Sequence, residues 1–233
     1  MSAPASAAQK ERPLVVELVG AWGAGKSSLV RSLVQRDGSV RAAPHAWSLP
    51  KALLAIGGLE VLAAVIRILG SGERLYWRES RQLIRLRALY HNLELLRRRG
   101  SRVVVVEDGP ALFLSWLRAA ARRSASNGDM APWWHSMVRR WAKTVDVVVF
   151  LDAPDSVLTK RVLARPQSNP FKDRPEGELA EALERSRAAY GEVLSDLGAL
   201  EGPPVLAFRT DQQSVAEITE HLLLTLARKR NGH

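Results

Sequence analysis

The sequence predicts a three-layer α/β/α domain, a mostly parallel β-sheet with helices packed on both faces. Two observations carry this. Residues 14–19, 102–106 and 146–151 are nearly continuous runs of Val, Leu and Phe, the pattern of strands buried on both sides. Long segments with helical periodicity separate them, and alternating strands and helices build parallel crossovers. At 233 residues the chain can bury one good core. A 46% hydrophobic and 25% charged composition excludes the intrinsically disordered class for the chain as a whole.

The elements follow in order. Residues 1–12 are Ala- and Ser-rich without an apolar core segment, so they read as a disordered leader and not as a secretory signal. The predicted domain spans 13–233. Its first strand is Leu14–Val19. The helix after it places Leu29, Val30, Leu33 and Val34 on one face. Residues 39–43 read as a short edge strand. Residues 51–69 form a helix that is apolar almost all round, including Leu53, Ile56, Leu59, Val61, Leu62 and Ile66. Its length is near the lower limit for a membrane span, but Glu60 and Arg67 lie inside it, Gly57-Gly58 weakens it, and no second span accompanies it. A span is therefore disfavoured. A buried helix or an apolar contact surface, including one that touches a membrane, stays open.

Residues 73–99 form an amphipathic helix. Leu83, Leu86, Leu89, Tyr90, Leu93 and Leu96 make its stripe, and Arg97-Arg98-Arg99-Gly100 ends it. Together, 44–100 make a helical segment between the first two strong strands. The second strong strand is 102–106 and the third is 146–151. A weaker one, 205–208, starts after Pro203-Pro204.

Chemistry concentrates at the ends of these strands. Gly20-Ala21-Trp22-Gly23-Ala24-Gly25-Lys26-Ser27 matches the Walker A pattern at every fixed position, between a strand and a helix. Gly20, Gly23 and Gly25 let the backbone curl around an anion, and the loop amides and helix N-terminus face it. Lys26 should reach the β- and γ-phosphates, and Ser27 should ligate Mg²⁺. The alternative, a glycine turn that merely caps a helix, does not account for the flanking strand and helix.

The second strand runs into Glu107-Asp108-Gly109-Pro110. Open α/β sheets bind ligands beyond the carboxyl ends of their strands. A carboxylate there can hold Mg²⁺ or accept the proton of an attacking hydroxyl. Glu107 is the favoured acid and Asp108 its competitor. Both could instead belong to a turn in which Asp108 caps the next helix and Pro110 begins it.

The third strand ends in Leu151-Asp152-Ala153-Pro154. The following helix carries Lys160, Arg161 and Arg165. Residues 166–175 hold three prolines with Lys172 and Arg174 and read as a loop. Residues 160–178 thus look like a lid whose arginines stabilise transferring charge, with a plain surface crossover as the competing reading. Trp133-Trp134-His135 and Arg139-Arg140-Trp141 could frame an acceptor, but an amphipathic helix with core tryptophans is the favoured reading. His45, His91 and His221 are isolated and show no metal-ligand spacing.

The formal net charge is +10, and there is no cysteine. Disulfides and thiolate metal sites are excluded, and a reducing, cytoplasmic setting is expected. The cations are mostly Arg and are spread over several helices, with no nucleic-acid-binding motif. This favours small phosphorylated partners over nucleic acid.

On these residues the chain resembles the thymidylate kinase-like branch of the P-loop nucleoside and nucleotide kinases. Three stretches carry the resemblance: Val19 to Ser28; the apolar strand with Glu107; and Val148-Val149-Phe150-Leu151-Asp152-Ala153-Pro154 with Arg161, Arg165 and Asp173-Arg174. The resemblance implies the P-loop NTPase fold, with a five-stranded parallel sheet whose first strand is central. It also implies ATP and Mg²⁺ as cofactors and phosphoryl transfer to a small acceptor. Gly20, Ala21, Trp22, Gly23, Ala24, Gly25, Lys26, Ser27, Ser28 and Arg161 would hold the nucleotide. Arg209-Thr210-Asp211 would pack on the base. Lys26, Glu107, Asp108, Arg161, Arg165 and Arg174 would act in transfer, with Ser27 and Glu107 on the metal.

One departure stands out. Asp108 occupies a position where such kinases usually carry arginine, and the 44–100 segment shows no thymidine-reading pattern. The resemblance therefore supports phosphoryl transfer more than it supports thymidylate as substrate. A homodimer is open, as is a regulatory P-loop NTPase acting through a protein or membrane partner.

Overall fold

The computed structural model describes residues 12–70, 77–98, 102–123, 132–165 and 176–231. Five strands form one all-parallel sheet: β1 (Leu14–Val19), β2 (Val40–Ala42), β3 (Val103–Glu107), β4 (Val147–Asp152) and β5 (Val205–Arg209). Their order is β2-β3-β1-β4-β5, so the strand feeding the glycine loop is central. Eight helices are described: α1 (Lys26–Arg36), α2 (Lys51–Gly70), α3 (Trp77–Arg98), α4 (Pro110–Arg123), α5 (Pro132–Thr144), α6 (Asp155–Leu163), α7 (Glu176–Gly198) and α8 (Val215–Asn231). The short edge strand at 39–43 is present as β2. β3 and β4 each end one residue later than the apolar runs suggest, so Glu107 and Asp152 are strand residues.

Alternation along the strands divides the interior into two cores. Val16, Leu18, Val103, Val105, Val147 and Val149 pack with Leu29 and Leu33 of α1, Leu158 of α6 and Leu222 of α8. Val15, Val19, Val104, Val106 and Val148 pack with Leu86, Leu89 and Leu93 of α3, Phe113 and Leu114 of α4, and Trp141 of α5. Full burial of a side chain such as Leu33 stabilises the fold by about 1.5–3 kcal/mol. Helix α7 serves both cores. Leu179 and Leu183 join the first, while Tyr190, Val193 and Leu197 join the second. It therefore crosses near the sheet edge where the functional loops gather.

The amphipathic stripe of α3 is buried as its periodicity predicts, with Leu86, Leu89 and Leu93 fully enclosed. Trp134 and Trp141 of α5 are core residues, which is the favoured reading of that tryptophan cluster. The side chain of Trp133 lies outside the described residues. Helix α2 buries Leu53 and Val61 but exposes Ile56, Leu59 and Leu62. Among the described residues no helix is long and apolar enough to cross a membrane.

Candidate active site

The glycine loop leaves β1 at Val19 and enters α1 at Lys26. Gly20, Gly23 and Gly25 take φ values of 153°, 83° and 95°, a region that L side chains avoid. At Gly23 a Cβ would also come within 2.8 Å of the Leu158 carbonyl oxygen, because α6 presses on the loop. Helix α1 begins with no side-chain cap and no acid in its first turn, so its positive end faces the loop uncompensated. The Lys26 Nζ donates to the Gly20 carbonyl at 2.6 Å and to that of Ala21 at 3.3 Å. Burial pushes the Lys26 ammonium below its ordinary range, and Arg165 adds to this. Asp108 and Glu107 oppose it.

Two cavities meet on this loop. One, of about 450 Å³, is lined by Gly23, Ala24, Gly25, Ser28 and Leu29, by Arg161 and Arg165, and by Thr210, Gln213, Ser214, Val215 and Ile218. The other, of about 580 Å³, is lined by Gly20 through Ser27, by Trp47, Glu107 and Asp108, by Leu112, Ser115 and Trp116 of α4, by Arg165, and by Ala182, Arg185, Ser186, Ala189 and Tyr190 of α7. Both volumes are in the range of small-molecule sites. The cavities share Gly23, Ala24, Gly25 and Arg165.

The two acids at the end of β3 face different partners. Glu107 Oε1 accepts a hydrogen bond from Ser27 Oγ at 2.5 Å. Asp108 turns away in the left-handed region, φ 55°, and its Oδ2 lies 3.5 Å from His45 Nδ1. Such a conformation is unusual outside glycine, and Asp is among the residues that tolerate it. Asp108 does not cap the next helix. Pro110 is the first residue of α4, and the acceptor for its first free amide is Glu17 of β1, whose Oε1 receives the Ala111 N–H at 2.6 Å.

Glu17 is a residue that sequence reasoning passed over. It is 1% exposed, and burial pushes its carboxyl up to about 8, partly offset by the Ala111 hydrogen bond. Its Oε2 has no hydrogen-bond partner. A side chain at Gly109 would collide with it, so Glu17 sits directly under the turn that carries Asp108. The signal was present, since one carboxylate interrupts an otherwise apolar strand, and a buried acid needs a reason.

The predicted cations separate into different roles. Arg161 bridges the loop and the β5–α8 turn. It donates to Thr210 Oγ1 at 2.9 Å, to the Thr210 carbonyl at 2.8 Å and to the Gly23 carbonyl at 3.4 Å. Arg165 lies on the wall common to both cavities. Arg174 and most of the 160–178 segment lie outside the described residues. Arg209 pairs with Asp211 at 3.1 Å, and neither lines the smaller cavity. From that turn Thr210 does, joined by Gln213, Ser214 and Val215. Arg187 of α7, not singled out from the sequence, ties down the end of β4. It bonds Asp152 at 3.1 Å and Asp155 at 2.7 Å.

Ser27 and Glu107 together suit Mg²⁺. This ion takes few protein ligands, commonly one hydroxyl and one or two carboxylates, and fills the rest of its octahedron with water and phosphate oxygens. The 2.5 Å hydrogen bond shows that one hydroxyl and one carboxylate already converge beside the loop.

The comparison with solved structures decides the fold. The chain superposes on thymidylate kinase from Candida albicans with a TM-score of 0.56, at 11% identity over 95% of this chain and 94% of that one. It superposes on deoxyadenosine kinase from M. mycoides with bound dCTP with a TM-score of 0.50, at 13% identity over 91% of this chain and all of the other. The fold is that of the P-loop nucleoside and nucleotide kinases. At this identity the likeness concerns the fold and not the substrate. No protein-family model matches the sequence, and no curated protein matches it.

Proposed function

We propose that the protein is an ATP-dependent kinase that moves a phosphoryl group to a small acceptor. The observation that supports this best is the pair of cavities sharing Gly23, Ala24, Gly25 and Arg165. A phosphoryl donor and its acceptor must meet in line at one phosphate. A nucleotide switch that only hydrolyses needs the first cavity and has no use for the second.

In this reading the loop amides and the N-terminus of α1 bind the phosphates. Lys26 leaves the carbonyls of Gly20 and Ala21 and takes phosphate oxygens instead. The nucleotide lies in the smaller cavity, with Ser28 at its phosphate end and its base toward Thr210, Gln213 and Val215. Arg209 and Asp211 shape that turn from outside. Ser27 and Glu107 would hold Mg²⁺, which when bound neutralises charge between the terminal phosphates. Glu107 also stands where it can take the proton of the attacking group. Arg165 reaches the transferring phosphoryl from the common wall, and Arg161 holds the loop in place for it, with Arg174 as a lid cation.

The test is a transfer assay with Mg²⁺-ATP and a panel of nucleosides, nucleotides, sugars and aminoglycoside-type alcohols, read by mass spectrometry for the gain of one phosphoryl group. Transfer is expected to fall at least about 100-fold in both Lys26→Ala and Glu107→Gln. ATP turnover that is indifferent to every acceptor would refute the kinase reading. It would favour a regulatory NTPase acting through a partner, for which the exposed Ile56, Leu59 and Leu62 of α2 offer an apolar contact face.

A further inference from the structure

We propose that the acceptor enters the larger cavity unphosphorylated, as a neutral ring compound rich in hydroxyl groups, and not as a monophosphate. The inference rests on the kinase reading above and deepens it. The argument comes from where charge sits along the cavity wall. Two of its cations, Lys26 and Arg165, belong to the phosphate-loop end, where they face the transferring group. Arg185 is the other lining cation among the described residues. It is 68% exposed and paired with Glu181 at 3.0 Å, so it belongs to the rim.

The interior has the opposite character. Asp108 and Tyr190 both line it, and burial, with Asp108 and Glu17 adding to it, pushes the Tyr190 phenol's ionisation upward. A second phosphate on the acceptor would face the Asp108 carboxylate, since Glu107 is engaged with Ser27 at the loop end, with no further guanidinium among the described lining residues to hold it. Like charges brought together in a half-enclosed site repel strongly, and this opposes binding.

What the cavity does offer is an apolar ring face, part of it at the mouth because Trp47 is about half exposed, and hydrogen-bond acceptors. Trp47 and Trp116 lie with ring centroids 5.6 Å apart at 41°, and the Arg85 guanidinium braces Trp47 at 4.2 Å. A braced aromatic wall suits a flat or chair-shaped ring. A carboxyl group offers two oxygens as hydrogen-bond acceptors, so Asp108 is matched to hydroxyl groups. His45, 3.5 Å away, steadies it from outside the cavity.

Isothermal titration of the full chain with matched pairs tests this. The pairs are thymidine, deoxyadenosine and glucose, each against its own monophosphate. At least one unphosphorylated member should bind about tenfold or more tightly than its partner. Asp108→Asn, which keeps the shape and tolerates the same backbone conformation, should shrink that ratio. Thymidine or deoxyadenosine as the binder identifies a nucleoside, and glucose identifies a free sugar. Monophosphates binding as well or better, a ratio unchanged in Asp108→Asn, or no binding by either member of any pair would each overturn the inference. The transfer assay separates the two levels. Phosphorylated monophosphates would leave the kinase reading standing and sink this one. A bound alcohol that is never phosphorylated would sink the kinase reading, and with it that alcohol's role as acceptor, while the binding preference itself stood.

Discussion

Glu17→Gln makes the sharpest quantitative prediction. The Glu17 carboxyl ionises near its ordinary 4.5 in the unfolded chain and at about 8 in the fold. Between those values the folded protein keeps a proton that the unfolded chain has released. Stability is therefore full below pH 4.5, declines as pH rises through the window, and levels off above about pH 8. The decline is about 1.4 kcal/mol per pH unit. Over the whole window this sums to roughly 5 kcal/mol, an upper figure because a buried acid can relax or admit water. Glutamine keeps an oxygen for the Ala111 N–H and has no proton to lose. The stability difference between wild type and variant should then change by about 3 kcal/mol from pH 5.5 to 7.5, in favour of the variant. Urea unfolding at four pH values measures it directly, because other titrating groups cancel in the difference. Parallel curves for the two proteins would refute the argument and mean that Glu17 is solvated in the fold.

Three further outcomes follow from named contacts. Gly23→Ala should lose nucleotide binding, because it adds about 1–2 kcal/mol of left-handed backbone strain and a clash with the Leu158 carbonyl; wild-type ATP affinity by titration would contradict this. Arg161→Ala should raise the KM for ATP more than it lowers kcat, since Arg161 braces Thr210 and Gly23. A pure kcat defect would instead make it a direct stabiliser of transferring charge. Asp146→Ala should destabilise the fold by about 1–3 kcal/mol, because the Val15 N–H at the start of the central strand loses its 2.7 Å acceptor; an unchanged urea midpoint would argue against that.

Much of the fold was legible because it is written in local patterns. Valine runs mark β1, β3 and β4, and the glycine spacing at 20, 23 and 25 marks the loop between β1 and α1. The polar turn chemistry around Pro110 marks the start of α4 but misled on its cap. Asp108 is a good capping residue by type, and nothing nearby in sequence reveals that the carboxylate in use comes from Glu17, 94 residues away from Ala111. Of the turn expected at 209–211, only Thr210 lines the smaller cavity, and Gln213, Ser214 and Val215, which carry no phosphate or nucleotide signature of their own, line it as well.

The sequence by itself determined the parallel α/β architecture, the glycine loop between β1 and α1 and the presence of two acids at the mouth of β3. Each depends on spacing within a few residues, which the backbone converts directly into a face or a turn. Only the tertiary structure decided that Glu107 faces Ser27 while Asp108 faces His45 and Tyr190, that Arg161 is held by Thr210, and that α7 closes the second cavity. Those pairings depend on strand order and helix docking, which bring together residues far apart in the chain, and no local periodicity encodes which distant side chain each one will meet.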